Sequence, residues 1–341
     1  RRRFWEAKIG ALTAARCAEF RAEIIVGCNM PLDAQRVLRQ AARRQQARFV
    51  FWLQDIYSHA IRHYLGARLG LVGRAIGDHY QRLEGHLLRS SDAVVAISEK
   101  FRAPLEAWGV ARERVRVIPN WAPLSEIYPT PKDNGWARAH GLQDKLVALY
   151  SGTLGLKHDP ALLLELARMG AGAGLHVVVV SEGAAAQWLA EQQRRHAVAN
   201  LRMLPFQPME QYPEVLGAGD ILLAMVGEEA AAFSVPSKIL SYLAAGKPIV
   251  ASIAANNDAA ATIAAAEAGL VTAPGDGRSF CDGVLQLAVN TELRHRLGCN
   301  ARKFAETRFE SDTIADRFEQ LFATIARPVP RETRRAATEL G

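Results

Sequence analysis

The feature of this sequence that most constrains its fold is a repeated alternation of short apolar runs with segments of helical spacing. Runs such as "AEIIVGC" (22–28), "RFVFWLQD" (48–55) and "DAVVAIS" (92–98) are typical of buried strands, and amphipathic segments separate them. Strands joined by helices lie parallel, because each helix returns the chain to the same edge of the sheet. The sequence therefore predicts an α/β protein with parallel sheets.

The alternation lapses once and then resumes, which predicts two domains. The stretch "WAPLSEIYPTPKDNGWARAHGLQ" contains several prolines and has no apolar period, whereas "KLVALYSG" after it starts a second series of strands and helices. A chain of 341 residues is long enough for two doubly wound domains of ordinary size. The expected boundaries are 1–121 for the first domain, 122–143 for a linker, 144–326 for the second domain and 327–341 for a disordered tail.

The excess of positive charge lies in the first quarter of the chain. Residues 1–91 contain 16 Lys and Arg against 7 Asp and Glu, whereas the other 250 residues contain 26 against 28. A basic first domain indicates an anionic partner, and a solvated arginine-rich surface is the plainer alternative. We expect an anionic membrane surface and no nucleic acid. A nucleic-acid surface needs aromatic residues interleaved with the arginine cluster; "RRRFW" and "RFVFW" come close to this, but the second is interpreted as a buried strand. No apolar run reaches the length of a membrane-spanning helix.

Several common catalytic signatures are absent from the sequence. It has no GxGxxG after a strand, no GxxxxGK[ST], no GxSxG and no HExxH. His59 and His63 are four residues apart, but no carboxylate at zinc-like spacing accompanies them, so we expect no metal site. The four cysteines show no CxxC spacing and are interpreted as small buried residues.

Two lysines follow strands of the second domain at points suited to phosphate binding. Lys157 ends the loop "SGTLGLK", whose glycines allow the backbone to approach a ligand closely. Lys238 lies in the first turn of the helix that starts at "SVPSK", where a cation opposes the helix dipole unless an anion offsets it. Ser234 or Ser237 is the expected cap of that helix. Because the carboxyl ends of parallel strands share one edge of a sheet, the two lysines predict a clamp for a diphosphate.

Longer stretches of the chain resemble a known family. The second half, from "ALYSGTLGLKHDPALLLELA" through "FSVPSKILSYLAAGKPIVAS" to "AGLVTAPGD", resembles the nucleotide-binding domain of retaining glycosyltransferases of family 4, which have the GT-B fold. The first half adds "FWLQDIYS", "RSSDAVVAISEKFR" and "RVRVIPNW", which are similar to the later part of that fold's acceptor domain. The combination is most similar to the capsule, colanic-acid and O-antigen branch, which builds lipid-linked saccharides.

The resemblance implies two Rossmann-like domains, of which the first is incomplete here. The GT-B fold normally opens with a strand and a glycine-rich loop, followed by further elements before anything like "AEIIVGC". The sequence shows no such opening. We therefore expect a truncated first domain and a complete second one.

The resemblance also assigns the donor site to the second domain. Lys157 and Lys238 fall where the family holds the donor pyrophosphate. Thr153 stands where many members have an arginine, and Ser241 where many have a glutamate that holds the ribose. The residues expected to bind the nucleotide and diphosphate are Gly152, Thr153, Gly155, Lys157, Phe206, Gln207, Ser237, Lys238 and Ser241. The residues expected to contact the donor sugar are Glu229, Asn256 and Asn257.

Catalytic residues are expected from both domains. In the first domain, Gln54 and Asp55 occupy a place where many members have a histidine beside the sugar. Glu229 and Lys238 of the second domain complete the expected catalytic set. The nearby polar residues Ser98, Glu99 and Asn120 are expected to cap helices and turns.

The resemblance implies an enzyme, a hexosyltransferase that moves a sugar from a nucleoside-diphosphate sugar to a lipid-linked saccharide with retention, in surface polysaccharide biosynthesis. A UDP-sugar is the expected donor and a GDP-sugar the alternative, with no cofactor. The lysines would stabilise the departing diphosphate. We expect a cytoplasmic protein held peripherally at the inner face of the plasma membrane. Two other functions stay open: a truncated, non-catalytic nucleotide-sugar binding module, and a GT-B nucleotide-sugar epimerase.

Overall fold

The computed structural model describes residues 2–155, 158–227 and 237–326, which form two compact units. The first unit contains residues up to Asn120 and those from Ile314 onward, and the second contains Trp121–Thr313. Each unit is built on its own parallel sheet, with helices packed against it. The predicted α/β fold with two parallel-sheet domains is therefore confirmed.

The first unit has a parallel sheet in the order β1-β2-β3-β4. Its strands are β1 (Ile24–Cys28), β2 (Arg48–Leu53), β3 (Ala93–Ala96) and β4 (Val115–Val117). Its helices before Asn120 are α1 (Arg2–Glu19), α2 (Leu32–Arg44), α3 (Tyr57–Ser90) and α4 (Arg102–Ala107), with short 3-10 helices at Glu99–Phe101 and Arg112–Arg114.

The two faces of this sheet are covered by different parts of the chain, because successive side chains of a strand point to opposite faces. Phe49 and Phe51 face a core formed with the helices of the first 110 residues. Val50 faces the other side, where Ile314 and Leu321 of the last helix pack. This helix, α13 (Ser311–Ile325), was expected in the second domain. Its apolar spacing predicts a helix, but it does not reveal which sheet the helix covers.

The second unit has a parallel sheet in the order β10-β9-β8-β5-β6-β7. Its strands are β5 (Leu146–Ser151), β6 (Leu175–Val180), β7 (Leu201–Leu204), β8 (Ile221–Met225), β9 (Ile249–Ser252) and β10 (Gly269–Thr272). Its helices are α5 (Gly135–Ala139), α6 (Pro160–Gly170), α7 (Ala184–Arg195), α8 (Tyr212–Ala218), α9 (Lys238–Ala244), α10 (Asp258–Ala265), α11 (Gly277–Val289) and α12 (Thr291–Arg308), with short 3-10 helices at Ala171–Ala173 and Met209–Gln211.

Helices cover both faces of the second sheet. Val147 and Leu149 of β5 face a core shared with α8, α9, α10 and α12, whereas Ala148 and Tyr150 face a core shared with α6, α7 and α11. A sheet buried on both faces needs strands that are apolar throughout, which explains the unbroken run "LVALY" in β5.

The strand order places a switch point between β5 and β8. Counted by position along the chain, the order is 3-2-1-4-5-6, in which the chain builds outward from β5 in one direction and then from β8 in the other. At such a point the connections leave the two neighbouring strands toward opposite faces, which opens a crevice at their carboxyl ends. Ligands of open α/β sheets bind in that crevice.

Local features of the chain differ from the sequence-based expectation. Helices α1 and α5 were not predicted. The stretch 122–143, expected as a linker, packs into the core of the second unit through Ala122, Trp136 and Leu142. These buried residues are spaced irregularly, so they give no periodic pattern. None of the helices in the described part of the chain combines the length and apolarity that crossing a lipid bilayer requires.

Candidate functional site

The candidate site lies at the carboxyl ends of β5 and β8, on either side of the switch point. β5 ends at Ser151 and continues into Gly152, and β8 ends at Met225. Lys238 is the first residue of α9, the next described helix after β8. The structure therefore brings Gly152 and Lys238, which are far apart in sequence, to one place at the edge of the sheet.

The side chain of Lys238 packs against the end of β5. Its ammonium nitrogen lies 3.8 Å from the centroid of the Tyr150 ring, within the range of a cation–π contact. A Cβ atom at Gly152 would lie 3.2 Å from this nitrogen, so a larger residue there would crowd the lysine. Gly152 also has a φ of +129°, a backbone conformation that favours glycine. A positive charge is thus seated at the switch point.

A buried tyrosine fixes α9 to the two central strands. The hydroxyl oxygen of Tyr242 accepts a hydrogen bond from the backbone N–H of Ser151 at 3.1 Å. Its proton is directed at the carbonyl oxygens of Ser151 and Leu223, each also 3.1 Å away. Burial raises the pKa of Tyr242 well above 10, so the hydroxyl stays protonated at neutral pH. Tyr242 therefore holds the helix that carries Lys238 against β5 and β8.

The described residues around the loop after β5 are joined by hydrogen bonds of their own side chains. The Tyr150 hydroxyl donates to the carbonyl oxygen of Thr153 at 2.9 Å, and the backbone N–H of Gly155 donates to Nδ1 of His158 at 2.9 Å. The backbone N–H of Gly152 donates to Val180 at the end of β6. Gly152, Thr153 and Gly155, which were expected to bind the diphosphate, thus lie together after β5 at the carboxyl edge of the sheet.

Phe206 and Gln207, which were expected to bind the nucleotide, lie after β7, next to the end of β6. The backbone N–H of Phe206 donates to Oε1 of Glu182 at 3.1 Å, and the Phe206 ring is exposed. The side chain of Gln207 is engaged elsewhere: its Oε1 accepts from the indole N–H of Trp136 at 3.0 Å, and its amide donates to the carbonyl of Pro205. In this structure the Phe206 side chain is exposed, whereas the Gln207 side chain ties the segment to α5.

The other predicted donor-site residues lie at the starts of α9 and α10. Oδ1 of Asn257, which is buried, accepts from the backbone N–H of Ala259 at 2.9 Å and caps α10. Asn256 beside it is exposed. Ser237 precedes α9 and makes no side-chain capping hydrogen bond, whereas Ser234, the alternative cap, lies outside the described residues. Ser241 lies one turn after Lys238 on α9 and is half-buried.

The predicted catalytic pair of the first unit lies at the carboxyl edge of its own sheet. Gln54 follows β2 and pairs with Asn120 through two amide hydrogen bonds of 3.0 and 2.8 Å. Asp55 is half-buried and raises the pKa of Tyr57, after burial, which is the larger cause. Ser98 caps the 3-10 helix that follows β3 by accepting from Lys100. The two hydrogen bonds between Gln54 and Asn120 fix the orientation of the Gln54 amide.

A cavity of about 310 Å³ adjoins the site at the same edge of the sheet. Met225, Val226 and Gly227 after β8, Ser252 at the end of β9 and the start of α6 line it. A larger cavity of about 590 Å³ lies at the opposite, amino edge. There Lys247 donates to the carbonyl of Gly217, and Arg294 and Arg302 donate to carbonyls at the ends of α11 and α9. The basic side chains at this edge are hydrogen-bonded to carbonyl groups at the C-terminal ends of helices. The carboxyl edge is therefore favoured as the ligand site.

Some predicted residues are not part of the described structure. Lys157 and Glu229 lie outside the described residues, as does Ser234. Within the described residues, no group of three or more His, Cys, Asp or Glu side chains is placed to hold a metal ion. Conversely, the sequence analysis did not single out Tyr150, Tyr242, His158 or Glu182. In the sequence, His158 was marked only by its position directly after Lys157. Tyr150 and Tyr242 look like ordinary core residues.

Comparison with known proteins identifies the family. Residues 134–304, half of the chain, match the family model described as glycosyl transferases group 1. The chain belongs to this family. Residues 1–121 of this glycosyltransferase match a second model, described as a glycosyl transferase 4-like domain.

Individual relatives agree with this family. WcaI of Escherichia coli strain K12, whose name assigns it to colanic acid biosynthesis, is 28% identical over 229 residues, which are 65% of this chain and 55% of WcaI. The chain thus spans about half the length of this curated relative.

Solved structures share the fold at lower identity. HepE of Anabaena, solved in complex with UDP, is 18% identical, with a TM-score of 0.73 over 92% of this chain and 82% of HepE. WaaG, a glycosyltransferase involved in lipopolysaccharide biosynthesis, is 17% identical, with a TM-score of 0.65 over 86% of this chain and 84% of WaaG. The chain therefore has the GT-B fold.

Proposed function

We propose that this glycosyltransferase moves a hexosyl group from a nucleoside-diphosphate sugar, with a UDP-sugar as donor, to a hydroxyl of a lipid-linked saccharide in surface polysaccharide biosynthesis. The reaction proceeds with retention, as the resemblance to family 4 implies. HepE has been solved with UDP and with UDP-glucose, and the names of WcaI and WaaG refer to polysaccharide synthesis, which supports both halves of the proposal.

The observation that carries the proposal is the cation at the switch point. Lys238 lies against Gly152 and the Tyr150 ring, where an open parallel sheet binds its ligand. A glycine with positive φ lets the backbone approach a phosphate closely, and an ammonium group neutralises the charge that develops there. The same edge carries the exposed Phe206 ring for a base and the exposed Asn256 for a sugar hydroxyl.

The chemistry assigned to these residues is electrostatic. In a transfer from a nucleoside-diphosphate sugar, the bond between the anomeric carbon and the β-phosphate oxygen breaks, and the diphosphate leaves with its charge. Lys238, with Lys157, stabilises that charge in the transition state. The departing phosphate oxygen assists removal of the proton from the incoming hydroxyl. Glu229 holds a hydroxyl of the donor sugar. Gln54 and Asp55 are the catalytic residues that we assign to the acceptor domain.

The charge of the first quarter of the chain supports the proposed acceptor and location. Residues 1–91 carry a net charge of +9 from Asp, Glu, Lys and Arg. A basic acceptor domain favours an anionic membrane, which would hold a lipid-linked saccharide close to the enzyme. We therefore place the protein at the cytoplasmic face of the plasma membrane.

A thermal-shift panel with UDP, GDP, ADP and dTDP tests the donor assignment. A ligand that binds only the folded state at about 100 times its Kd stabilises that state by about 2.7 kcal/mol. For a unit of this size that corresponds to roughly 5–10 °C in Tm. A shift by UDP alone is the expected result. A shift by GDP alone would change the base, and no shift by any of the four would contradict the proposed donor site.

A further inference from the structure

Helix α3 is a helical hairpin with a sharp reversal at Gly70. Gly70 has φ +55° and ψ −128°, a conformation outside the helical region that favours glycine. A Cβ atom at Gly73 would lie 1.9 Å from the carbonyl oxygen of Leu65, and one at Gly77 would lie 2.6 Å from Cα of Arg62. Residues 71–90 therefore run back along residues 57–69 with their backbones in close contact.

At the base of this hairpin, a side chain of the second arm is hydrogen-bonded to the start of the first arm. Glu84, which is buried, accepts hydrogen bonds from the backbone N–H groups of Tyr57 at 3.1 Å and Ser58 at 2.9 Å. Further out, Arg62 lies 3.4 Å from the Asp78 carboxylate. The glycines let the two arms pack closely, and Glu84 joins them at the base. The end of the hairpin at Gly70 is therefore held in a defined position.

That end, which we call the hairpin tip (residues 64–74), exposes apolar side chains. Leu71 is 81% exposed, Val72 65% and Leu69 49%, and Tyr64 is also exposed. A cluster of this kind on the surface indicates a binding surface for a partner or a membrane.

The charges around the tip select between these partners. Residues 60–76 contain Arg62, Arg68 and Arg74 and no acidic residue, and all three arginines are exposed. The Tyr64 hydroxyl lies 3.3 Å from a guanidinium nitrogen of Arg68, which keeps an aromatic ring beside a cation. A convex apolar tip surrounded by arginine and tyrosine is complementary to the headgroup–acyl boundary of an anionic bilayer, which supplies phosphates and has no fixed shape to match.

We propose that the hairpin tip inserts Leu71 and Val72 into an anionic membrane while Arg68 and Arg74 bind lipid phosphates. The inference rests on the proposed membrane location and names the element responsible for it. Because α3 reverses at Gly70, the proposed contact is made by the tip of a hairpin and not by the side of one long helix. The lipid headgroup phosphate is the ligand, and the tip enters only the boundary region.

Vesicle co-sedimentation of the full chain tests this inference. The wild-type protein should sediment with vesicles of phosphatidylglycerol and phosphatidylcholine, bind phosphatidylcholine alone more weakly, and dissociate as salt is raised. Leu71→Asp combined with Val72→Asp should weaken the binding about tenfold or more, because the apolar area that enters the bilayer is lost. Val289→Asp is the matched control, since Val289 is 80% exposed but lies in the second unit, and it should bind as wild type does.

The arginines have a separate variant. Arg68→Gln with Arg74→Gln should weaken binding to anionic vesicles and leave the weak binding to phosphatidylcholine unchanged. Each variant is checked for an unchanged unfolding transition and for an unchanged Tm shift by UDP, which keeps the fold and the donor site separate from membrane binding.

The outcomes separate the two proposals. If the wild-type protein stays in the supernatant with strongly anionic vesicles at low salt, both the membrane location and the tip are overturned, and the tip is a surface for another protein. If the wild type binds and the Leu71/Val72 variant binds equally well, the membrane location stands and the tip inference is wrong.

Discussion

Removal of the Tyr242 hydroxyl should loosen α9 and reduce both stability and nucleotide binding. Tyr242 is fully buried and its hydroxyl bonds to Ser151 and Leu223 on the two central strands. In Tyr242→Phe the ring still fills its space, so no large cavity forms. The backbone N–H of Ser151 loses the hydroxyl oxygen as its partner, since a phenyl ring cannot accept this hydrogen bond.

The size of the effect follows from that unsatisfied group. A buried N–H without an acceptor costs about 1–3 kcal/mol, and the lost O–H donor adds a smaller amount. We expect a loss of about 2 kcal/mol in the free energy of unfolding, or roughly 4–8 °C in Tm for a unit of this size. Since α9 carries Lys238, the affinity for UDP should fall as well, whereas the affinity for uridine should change less.

Urea unfolding and calorimetric titration with UDP measure the two effects. The matched control is Tyr128→Phe, because Tyr128 is 53% exposed in the same unit, and its loss of a hydroxyl should cost under about 0.5 kcal/mol. If Tyr242→Phe is as stable as the control, the hydroxyl does not anchor α9. If it is destabilised but binds UDP as wild type does, the anchor is real but does not position Lys238.

Three further predictions concern Glu84 at the base of the hairpin, Gly152 in the loop after β5 and the ionisation of Tyr242. Glu84→Gln has one oxygen for two backbone N–H groups, so it should lower the free energy of unfolding by about 1–3 kcal/mol in urea titration, and an unchanged midpoint would contradict this. Gly152→Ala should weaken UDP binding in calorimetry, because the new methyl group crowds Lys238 and the φ of +129° is strained; wild-type affinity would refute it. Burial raises the pKa of Tyr242 above 10, so its contribution is fully present below about pH 10 and is lost as pH rises further. Between pH 10 and 11.5, wild-type stability should therefore fall more steeply than that of Tyr242→Phe, by about 1.4 kcal/mol per pH unit, and equal slopes would contradict the assignment.

The alternation of strands and helices made the fold predictable, because periodicity is a local property of the sequence. Its failures are non-local. Helix α13 has clear apolar spacing, yet which sheet it covers depends on where the chain goes after α12. The reversal of α3 depends on the backbone of Gly70, which the sequence shows only as one glycine among several.

The candidate site was predictable to a similar degree. Gly152 and Lys238 were found because a glycine after a strand and a lysine at a helix start are local patterns. Gln207 and Asn257 were expected to bind the donor; in the described structure the amide oxygen of Gln207 accepts from Trp136 and that of Asn257 accepts from Ala259, contacts that the sequence did not predict. The contact between Gln207 and Trp136 joins residues 71 positions apart, so nothing near Gln207 in the sequence reports it.

The most direct test of the donor site is the affinity of UDP and of uridine for the wild type, Lys238→Ala and Lys145→Ala. Lys145 is exposed and precedes β5, at the edge of the sheet opposite Lys238, so it is a matched loss of charge. Calorimetry gives the Kd of UDP, and displacement gives that of uridine. Because a charge-assisted hydrogen bond is worth about 1.5–3 kcal/mol, Lys238→Ala should weaken UDP binding by roughly 10- to 150-fold. It should leave uridine within about twofold, and Lys145→Ala should change neither, because the lysine acts on the diphosphate alone. Equal affinities of Lys238→Ala and wild type for UDP would contradict the proposed diphosphate site.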